Sequence, residues 1–370
     1  METNTPHILA VNVGSSNVKF ALFSIVAKPE KVITGTVAID GALEEIMKQI
    51  GSYISSEAVT AVVHRVVSGG PKYLQTAPID DAMRAELSRR STFDPNHVPA
   101  ELGLIEQFAA HLPHAVPIAC FDTTFFADVP RVAQLLPIPR RYYEQGLRRY
   151  GFHGLSYEYL LKEVARRQGT AVARGRIVMA HLGSGASLVA IKDGKPIDTT
   201  MAFTPASGIP MSTRAGDLDP GIVHYLAQSE GMETAEFNDM VNHRSGLLGL
   251  SEVSGEMYYL LEHEASDPRC ADAVALFCYE IKKRIGAFAA AMGGIDLLVW
   301  SGGMGEEAPR IRRRVCEGLE FLGITLDTAR NEAGEDIISP EGNRVSVLVI
   351  RSDEESTMID EACRILAHHG

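Results

Sequence analysis

Two distant segments of the chain repeat one pattern, namely an apolar strand, a Gly-Ser turn and a second strand. The first is NVGSSNVKFALF at residues 12–23, and the second is HLGSGASLVAIK at residues 181–192. Their turns align, with Gly14-Ser15 matching Gly183-Ser184. A unit that recurs in both halves predicts a duplicated fold with a ligand cleft between the halves.

Apolar runs of strand length alternate with longer helical patterns over the remainder of the chain. Strands are predicted at residues 58–67, 115–122, 176–183, 296–303 and 345–355, and helices at residues 80–90 and 156–169. In the second helix, Ser156 is the predicted N-cap and Gly169 the predicted C-cap. Strands that alternate with helices predict an α/β protein.

One more helix is predicted over residues 308–323, between two of these strands. Four apolar residues would lie on one of its faces: Ile311, Val315, Leu319 and Leu322. The run Arg312–Arg314 is expected to form a solvated face rather than a ligand site.

Length, charge and cysteine use limit the class of protein. A chain of 370 residues exceeds the usual size of one hydrophobic core, so two domains are expected. The net charge of −12 argues against nucleic acid or acidic membranes as partners, and no apolar run approaches the ~18 residues of a membrane span. The five cysteines form no CxxC pair and the N-terminus has no signal-peptide pattern, so we expect reduced thiols in a cytoplasmic protein.

The Gly-Ser turns have the composition of an anion-binding site. Glycine-rich turns present several backbone N–H groups, and serine hydroxyls add donors. In the first turn Lys19 suits phosphate oxygens, and Asn12 offers a neutral oxygen for a magnesium-bound water. A third such turn, WSGGMGEE at residues 300–307, also follows an apolar strand. Neither Gly-Ser turn fits the P-loop pattern GxxxxGK[ST], and a plain serine-rich hairpin remains the alternative for a turn taken alone.

The turns are part of a series of motifs that runs through the chain. In order these are HRVVSGG, FDTTFF, RRYGFHGLS, HLGSGAS, DTTMAFTPASGIPMSTRAGDLDPG, SGLLGLSEVSG, SGGMGEE and VIRSDEE. The series resembles the acetate kinase family over roughly residues 8–360, most specifically through residues 181–221. The resemblance implies two duplicated actin-like, or ribonuclease H-like, α/β domains around a nucleotide cleft. Residues 1–150 with about 357–370 would form one domain and residues 151–356 the other, and the protein would be a homodimer.

The resemblance also implies the reaction. ATP would transfer its γ-phosphate directly and in line to acetate, giving acetyl phosphate and ADP, with Mg²⁺ or Mn²⁺ bound. A weakly nucleophilic carboxylate must then approach a polyanion, so catalysis is mostly positioning and charge neutralisation. Such a site needs a cation for the carboxylate, cations around the phosphoryl group, and a metal.

Matching motif positions assigns the acyl and phosphoryl groups. Arg65 in HRVV matches the acetate-binding arginine, whose guanidinium suits a carboxylate. Arg214 matches the arginine near the transferred phosphoryl group, and Asp122 a catalytic aspartate that orients metal, substrate or arginine. The remaining matches are the transition-state histidines His153 and His181, and the acyl-site residues His97 and Phe152.

The same matching assigns the metal and nucleotide groups. Asn12 and Glu354 match the magnesium-associated positions. The expected nucleotide contacts are Ser15, Lys19, His181, Leu182, Gly183, Ser184, Gly185, Glu256, Met257, Tyr258, Gly303, Met304, Gly305, Glu306 and Glu307.

Several positions depart from the family pattern, although none of them is Arg65, Asp122 or Arg214. The departures are Asn17, Ser68, Val98, Phe126, Ser184, Glu256-Met257-Tyr258 in place of Asp-x-Arg, Glu307 in place of Asn, and Arg351. They leave a propionate or butyrate kinase, or an acyl kinase with another donor such as pyrophosphate, as alternatives. A non-catalytic nucleotide-binding sensor or scaffold is a third hypothesis, and the retained arginines and aspartate argue against it.

Overall fold

The computed structural model describes residues 5–14, 17–90 and 98–369 and divides into two compact units. Unit 1 contains Met1–Ala127, Gly154–Tyr159 and Asp353–Gly370, and unit 2 contains Asp128–His153 and Leu160–Ser352. The domain boundaries expected from the sequence stay a prediction.

Groups of strands and groups of helices follow one another along the described residues. The strands are β1 His7–Val13, β2 Asn17–Ile25, β3 Pro29–Ala38, β4 Val59–Val66, β5 Ala77–Pro78, β6 Val116–Phe121, β7 Ile177–Leu182, β8 Ala186–Lys192, β9 Lys195–Thr199, β10 Leu297–Ser301 and β11 Ser346–Val349. The helices are α1 Ala42–Ile50, α2 Asp81–Arg90, α3 Val98–His111, α4 Arg131–Gln134, α5 Arg140–Glu144, α6 Gly154–Gln168, α7 Thr170–Ala173, α8 Gly221–Ser229, α9 Thr234–His243, α10 Gly246–Ser251, α11 Met257–His263, α12 Pro268–Met292, α13 Gly302–Glu307, α14 Pro309–Cys316, α15 Thr328–Ala333 and α16 Glu354–His369. Short 3₁₀ helices lie at Ser56–Ala58, Thr124–Phe126 and Glu320–Leu322.

The two sheets share a five-strand topology, to which unit 1 adds the short antiparallel edge strand β5. In unit 1 the strand order is β3-β2-β1-β4-β6-β5, and in unit 2 it is β11-β10-β7-β8-β9. Each sheet begins with an antiparallel meander, and two later strands are added in parallel beside the first strand of that meander. In both, a Gly-Ser segment of the repeated sequence lies between the first two strands. The α/β class and the duplication are therefore confirmed.

The central strand of unit 1 is apolar throughout because both of its faces are covered. Every residue of β1 is buried. Leu9 and Val11 pack on one face with Phe108 of α3, whereas Ile8 packs on the other with Met358 of α16. A continuous apolar run is what a strand buried on both faces requires, so the sequence pattern and the layer structure agree.

The start of α6 differs from the prediction. The helix begins at Gly154, and its N-cap is His153 with φ 60°, so Ser156 lies inside the first turn and is fully buried. The amide of Gly154 donates to the carbonyl of Asp122 at 3.0 Å, and the N-cap lies three residues before the predicted one. Gly169 is the C-cap, as predicted.

The segment 308–323 is also shorter as a helix than its periodicity predicts. Helix α14 ends at Cys316. Leu322 therefore lies in the following 3₁₀ helix, and Leu319 lies just before it. The expected solvated arginine face is wrong for Arg312, which is fully buried. Arg313 and Arg314 are partly exposed, and they form ion pairs with glutamates of α15 and the α11–α12 connection.

Within the described residues, no helix is both long enough and apolar enough to cross a bilayer.

A buried histidine in unit 1 gives a test of the fold. His64 of β4 contacts the Phe108 ring edge-on, with ring centroids 5.7 Å apart, and its Nε2 has no partner within the described part of the chain. Burial lowers the pKa of His64 to about 3. The folded protein therefore keeps this ring neutral, whereas the unfolded chain takes up a proton below about pH 6.5. Its contribution to stability is present above that pH and is lost as the pH falls towards 3.

Replacing His64 with leucine should remove this acid sensitivity. Below about pH 6, the free energy of unfolding of the wild type should fall relative to that of His64→Leu by roughly 1.4 kcal/mol per pH unit. Urea unfolding of both proteins at pH 7, 6 and 5, followed by circular dichroism, measures this difference. Parallel pH dependences would contradict the assignment.

Candidate active site

In unit 1, an arginine and an aspartate meet at the carboxyl ends of two parallel strands. Val66 at the end of β4 pairs with Phe121 at the end of β6, so Arg65 and Asp122 lie at the same edge of the sheet. Arg65 Nε donates to Asp122 Oδ1 at 3.1 Å, and Nη2 donates to Oδ2 at 2.5 Å. The aspartate side chain is 1% exposed and the arginine side chain 14% exposed. The pair is therefore bidentate and nearly enclosed.

The bidentate pair limits how Arg65 could hold a substrate. Its Nη1 also donates to the carbonyl of Val13 at 3.0 Å. Three of the five guanidinium donors are thus used, and the described residues offer no acceptor for the two that remain on the terminal nitrogens. Burial alone would lower the pKa of Arg65, but the Asp122 charge outweighs it and the net shift is upward. Arg65 is therefore held charged, and its outer edge is the part that could receive a carboxylate.

An acidic cluster lies beside this pair. Asn12 at the end of β1 donates through Nδ2 to Glu354 Oε2 at 2.9 Å and to Glu355 Oε1 at 3.4 Å. Burial, countered in part by Arg65, raises the pKa of Glu354. Burial and the neighbouring charge of Glu354 raise the pKa of Glu355. Ionisation of these buried carboxylates is therefore unfavourable, and a bound cation would make it more favourable.

The donor set fits magnesium better than a metal that needs a complete protein cage. No three His, Cys, Asp or Glu side chains form a compact ligand group among the described residues. Magnesium keeps several waters and is usually held by one or two carboxylates with substrate phosphates. Glu354 and Asn12 supply a hard oxygen set of that kind. Lys19, paired with Asn12 across β1 and β2, adds a positive charge that lowers the Glu354 pKa.

In unit 2, three predicted side chains surround the second Gly-Ser turn. The rings of His153 and His181 stack with centroids 4.5 Å apart, and His153 Nδ1 lies 2.8 Å from the hydroxyl of Ser187. A Cβ added at Gly185 would lie 3.2 Å from His153 Nε2 and 3.3 Å from Arg214 Nη2. A side chain at position 185 would therefore press on two of these groups, and glycine leaves room for them.

Two sets of backbone contacts hold these side chains in place. Arg214 Nη1 donates to the carbonyl of Pro205 at 2.8 Å, and the amide of Ser212 donates to the carbonyl of Ser184 at 3.1 Å. The loop that carries Arg214 is thus tied to the turn. The positive φ of His153 is costly for a residue with a side chain, and such strain concentrates at functional sites.

A cavity of about 610 Å³ in unit 2 begins at this turn. The predicted nucleotide residues that line it are Gly183, Ser184, Glu256, Met257, Tyr258, Gly303, Met304 and Glu307. The lining residues that the sequence did not predict are Ser212, Leu261, Glu262, Ala308, Pro309, Arg310 and Glu332. Two of the predicted segments, 256–258 and 303–307, therefore meet the Gly-Ser turn at one cavity.

Other predicted nucleotide residues are not in this lining. These are His181, Leu182, Gly185, Gly305 and Glu306. The Glu306 carboxylate accepts hydrogen bonds from the amides of Gly302 at 2.9 Å and Ser352 at 3.2 Å, so it fastens α13 to the chain before α16. Lys19 belongs to unit 1, and the predicted acyl residue Phe152 is 2% exposed in unit 2. Ser15 and His97 lie outside the described residues.

The lining residues that the sequence analysis missed differ in how easily the sequence could have revealed them. Glu262 lies one helical turn after Tyr258, whose pKa is raised by its hydrogen bond to Glu262 and by that charge. Arg310 follows the predicted SGGMGEE motif by three positions. Glu332 comes from α15 and belongs to no recognisable motif, so only the folded chain reveals it.

The duplicated topology and the cation-lined Gly-Ser turn define a kinase of the actin-like fold, the class that includes the sugar kinases. The chain belongs to the acetokinase family, whose profile matches residues 35–360, and it is a phosphotransferase with a carboxyl group as acceptor. Both the family and the enzyme class predicted from the sequence are confirmed.

Relatives and solved structures agree with this assignment. The chain is 38% identical to an acetate kinase of Rhodopseudomonas palustris (strain TIE-1), over 94% of this chain and 95% of that one. It is 37% identical to a propionate kinase of Citrobacter rodentium, over 97% and 96%. The crystal structure of Porphyromonas gingivalis acetate kinase matches with TM-score 0.87 and 32% identity, over 98% of this chain and 100% of that chain. A propionate kinase from Francisella tularensis matches with TM-score 0.87 and 28% identity, over 96% and 98%.

Proposed function

We propose that this protein transfers the γ-phosphate of ATP to acetate, giving acetyl phosphate and ADP, with magnesium bound. The observation that carries the proposal is the Gly183–Gly185 turn, which opens into the 610 Å³ cavity and is approached by His153 and Arg214. Phosphate oxygens would lie at the turn, where backbone amides and cationic side chains neutralise them. The nucleoside would occupy the cavity.

The reaction forms a bond between an acetate oxygen and the γ-phosphorus while the bond to the bridging oxygen of ADP breaks. Arg214 and the two histidines would donate to the equatorial oxygens, on which charge is spread in the transition state. Arg65 would hold the acetate carboxylate by its outer edge, and Asp122 would fix the plane of that guanidinium. No base is needed, because acetate is already ionised at neutral pH.

Bound magnesium, or manganese in its place, would neutralise the phosphate charge. Glu354 would hold it directly and Asn12 through a water. Support comes from the raised pKa values of Glu354 and Glu355, since two desolvated neighbouring carboxylates favour a divalent cation.

The proposal extends to a cytoplasmic homodimer. Cytoplasmic location is supported by the five cysteines, all of which are free thiols. Dimerisation is supported by α8 and α9, two described helices in which no side chain is fully buried. Val223 and Tyr225 of α8 are exposed. Helices of this length need a packed apolar face for stability, so a second copy is the proposed cover.

Hydroxylamine trapping of acyl phosphate tests the reaction. We expect acetyl hydroxamate to form with ATP and acetate, and to depend on magnesium. Parallel assays with propionate, butyrate and pyrophosphate include the alternative substrates. Formation of no acyl phosphate with any combination would overturn the proposal, and product from pyrophosphate alone would replace ATP as the donor.

We also expect weak discrimination between nucleoside triphosphates. Tyr258 is 76% exposed and its hydroxyl binds Glu262, so one lone hydroxyl replaces the guanidinium of the family pattern. Stacking on Tyr258 would accept any base. ATP and GTP should therefore differ by less than about tenfold in kcat/KM, a gap of roughly 1.4 kcal/mol.

Initial rates with ATP and GTP under saturating acetate and magnesium give this ratio. Tyr258→Arg, which restores the family residue, should widen the ratio, whereas Tyr279→Arg on the exposed face of α12 should leave it unchanged. An ATP preference above about 100-fold in the wild type would show that other residues read the adenine.

A further inference from the structure

Arg312 on α14 of unit 2 is a fully buried arginine to which the proposed reaction gives no role. Its Nη1 donates to the carbonyls of Gly305 at 2.9 Å and Glu306 at 2.8 Å. Its Nε and Nη2 donate to Asn331, to the side-chain oxygen and the main-chain oxygen, each at 2.8 Å. All four acceptors are neutral oxygens, and no carboxylate of the described residues contacts the guanidinium.

This arrangement is costly on its own. Burial lowers the pKa of Arg312, and the nearby Glu332 charge offsets this only in part. A buried cation without an ion-pair partner opposes folding, and an apolar side chain of similar size would avoid that cost. Through its hydrogen bonds, the guanidinium holds Gly305, Glu306 and Asn331 in fixed positions relative to one another.

Those groups all lie directly behind the nucleotide cavity. The carbonyls of Gly305 and Glu306 are in the last turn of α13, where helix carbonyls lack partners within the helix. The same helix places Gly303, Met304 and Glu307 in the cavity lining. On α15, Asn331 precedes the lining residue Glu332, and its Nδ2 donates to the carbonyl of the lining residue Pro309 at 3.0 Å.

We propose that Arg312 is a positioning residue for nucleotide binding. It fastens α13 and α15 to α14, and so holds the part of the cavity lining formed by residues 303–310 and 332. Arg312 makes no hydrogen bond to the rest of the lining, which consists of Gly183, Ser184, Ser212, Glu256, Met257, Tyr258, Leu261 and Glu262. This proposal rests on the proposed function in so far as the cavity is where the nucleoside binds.

The test compares Arg312→Lys, which keeps a charge but loses the four-bond geometry, with the wild type. Loss of several charge-assisted hydrogen bonds at one wall should raise the KM for ATP about tenfold or more. The KM for acetate should stay within about twofold, because Arg65 is in unit 1, and kcat should fall by less than the KM for ATP rises. Lys283→Ala, 52% exposed on α12 of the same unit and paired with Glu280 one helical turn away, is the matched control and should change neither KM by more than about twofold.

Two further measurements keep the test decisive. The only tryptophan, Trp300, lies in β10 of unit 2 next to α13, so its fluorescence during urea unfolding reports whether unit 2 is folded. If Arg312→Lys does not fold, Asn331→Ala takes its place, since it removes one acceptor of Arg312 together with the donor to the Pro309 carbonyl, and leaves every cavity side chain. That variant should show the same split in KM with a smaller, roughly threefold, effect.

Calorimetric titration with ADP separates this proposal from the proposed function. If the wild type makes no acyl phosphate but binds ADP, weaker binding by Arg312→Lys still supports Arg312 as a positioning residue. A folded Arg312→Lys with unchanged ADP affinity and unchanged KM for ATP would overturn it. Equal losses for ATP and acetate would also overturn it, because they indicate a general structural role.

Discussion

Replacing Arg214 with alanine is expected to lower kcat by roughly 10³-fold or more, with a much smaller effect on nucleotide binding. The side chain reaches the Gly183–Gly185 turn from a loop tied to that turn, and Nη1 is already fixed on the Pro205 carbonyl. A donor preorganised where charge develops contributes mainly to the transition state. Steady-state rates of acetyl phosphate formation, with ADP affinity measured by calorimetry, separate the two effects.

Arg166→Ala is a suitable control for this measurement. Arg166 is in the same unit, is 67% exposed and pairs with Glu163 one helical turn away. Removal of an exposed pair of this kind should leave kcat within about twofold. A kcat for Arg214→Ala close to that of the wild type, together with a large loss of ADP affinity, would show that Arg214 binds the ground state instead.

The second large effect is expected at Arg65. Arg65→Lys keeps the charge opposite Asp122 but cannot occupy both carboxylate oxygens and still present an outer edge to acetate. Loss of that contact should cost roughly 2 to 5 kcal/mol, which is a fall in kcat/KM for acetate of about 30-fold to several thousand-fold. Lysine is preferred to alanine here, because alanine would leave Asp122 buried and unpaired and would destabilise unit 1.

Kinetics with acetate varied at saturating ATP measure this loss. Lys48→Ala, 78% exposed on α1 of the same unit, should behave like the wild type. The KM for ATP should change far less than the KM for acetate in Arg65→Lys. Acetate kinetics within about twofold of the wild type would remove Arg65 from the acyl site.

Local patterns in the sequence predicted most of the strands but only three of the helices. Alternation and apolar runs located β1, β2, β4, β6, β7, β10 and β11, because a buried face imposes its period on neighbouring residues. The Gly-Ser turn predicted the duplicated topology because the same strand-turn-strand unit recurs in both halves of the chain. Helix ends were less predictable. Ser156 has the chemistry of an N-cap, but a tertiary hydrogen bond between Gly154 and Asp122 decided where α6 begins.

Motif matching located the side chains around the second turn and two segments of the cavity, because each of these is encoded within a few consecutive residues. The sequence by itself determined the family, the α/β class and the identity of the proposed reacting groups. Their partners were decided only by tertiary structure. Asp122 binds Arg65 across 57 positions of the chain, and Glu354 binds Asn12 across 342.

The same limit applies to burial. Arg312, Arg313 and Arg314 are identical as letters, yet only Arg312 is enclosed, because it faces the carbonyls of α13 and the side chain of Asn331. Periodicity gives the direction of a side chain around its own helix, but what it meets there depends on which elements the sheet brings alongside. Pairings between residues far apart in the chain leave no pattern in the neighbouring sequence, so only the folded structure reveals them.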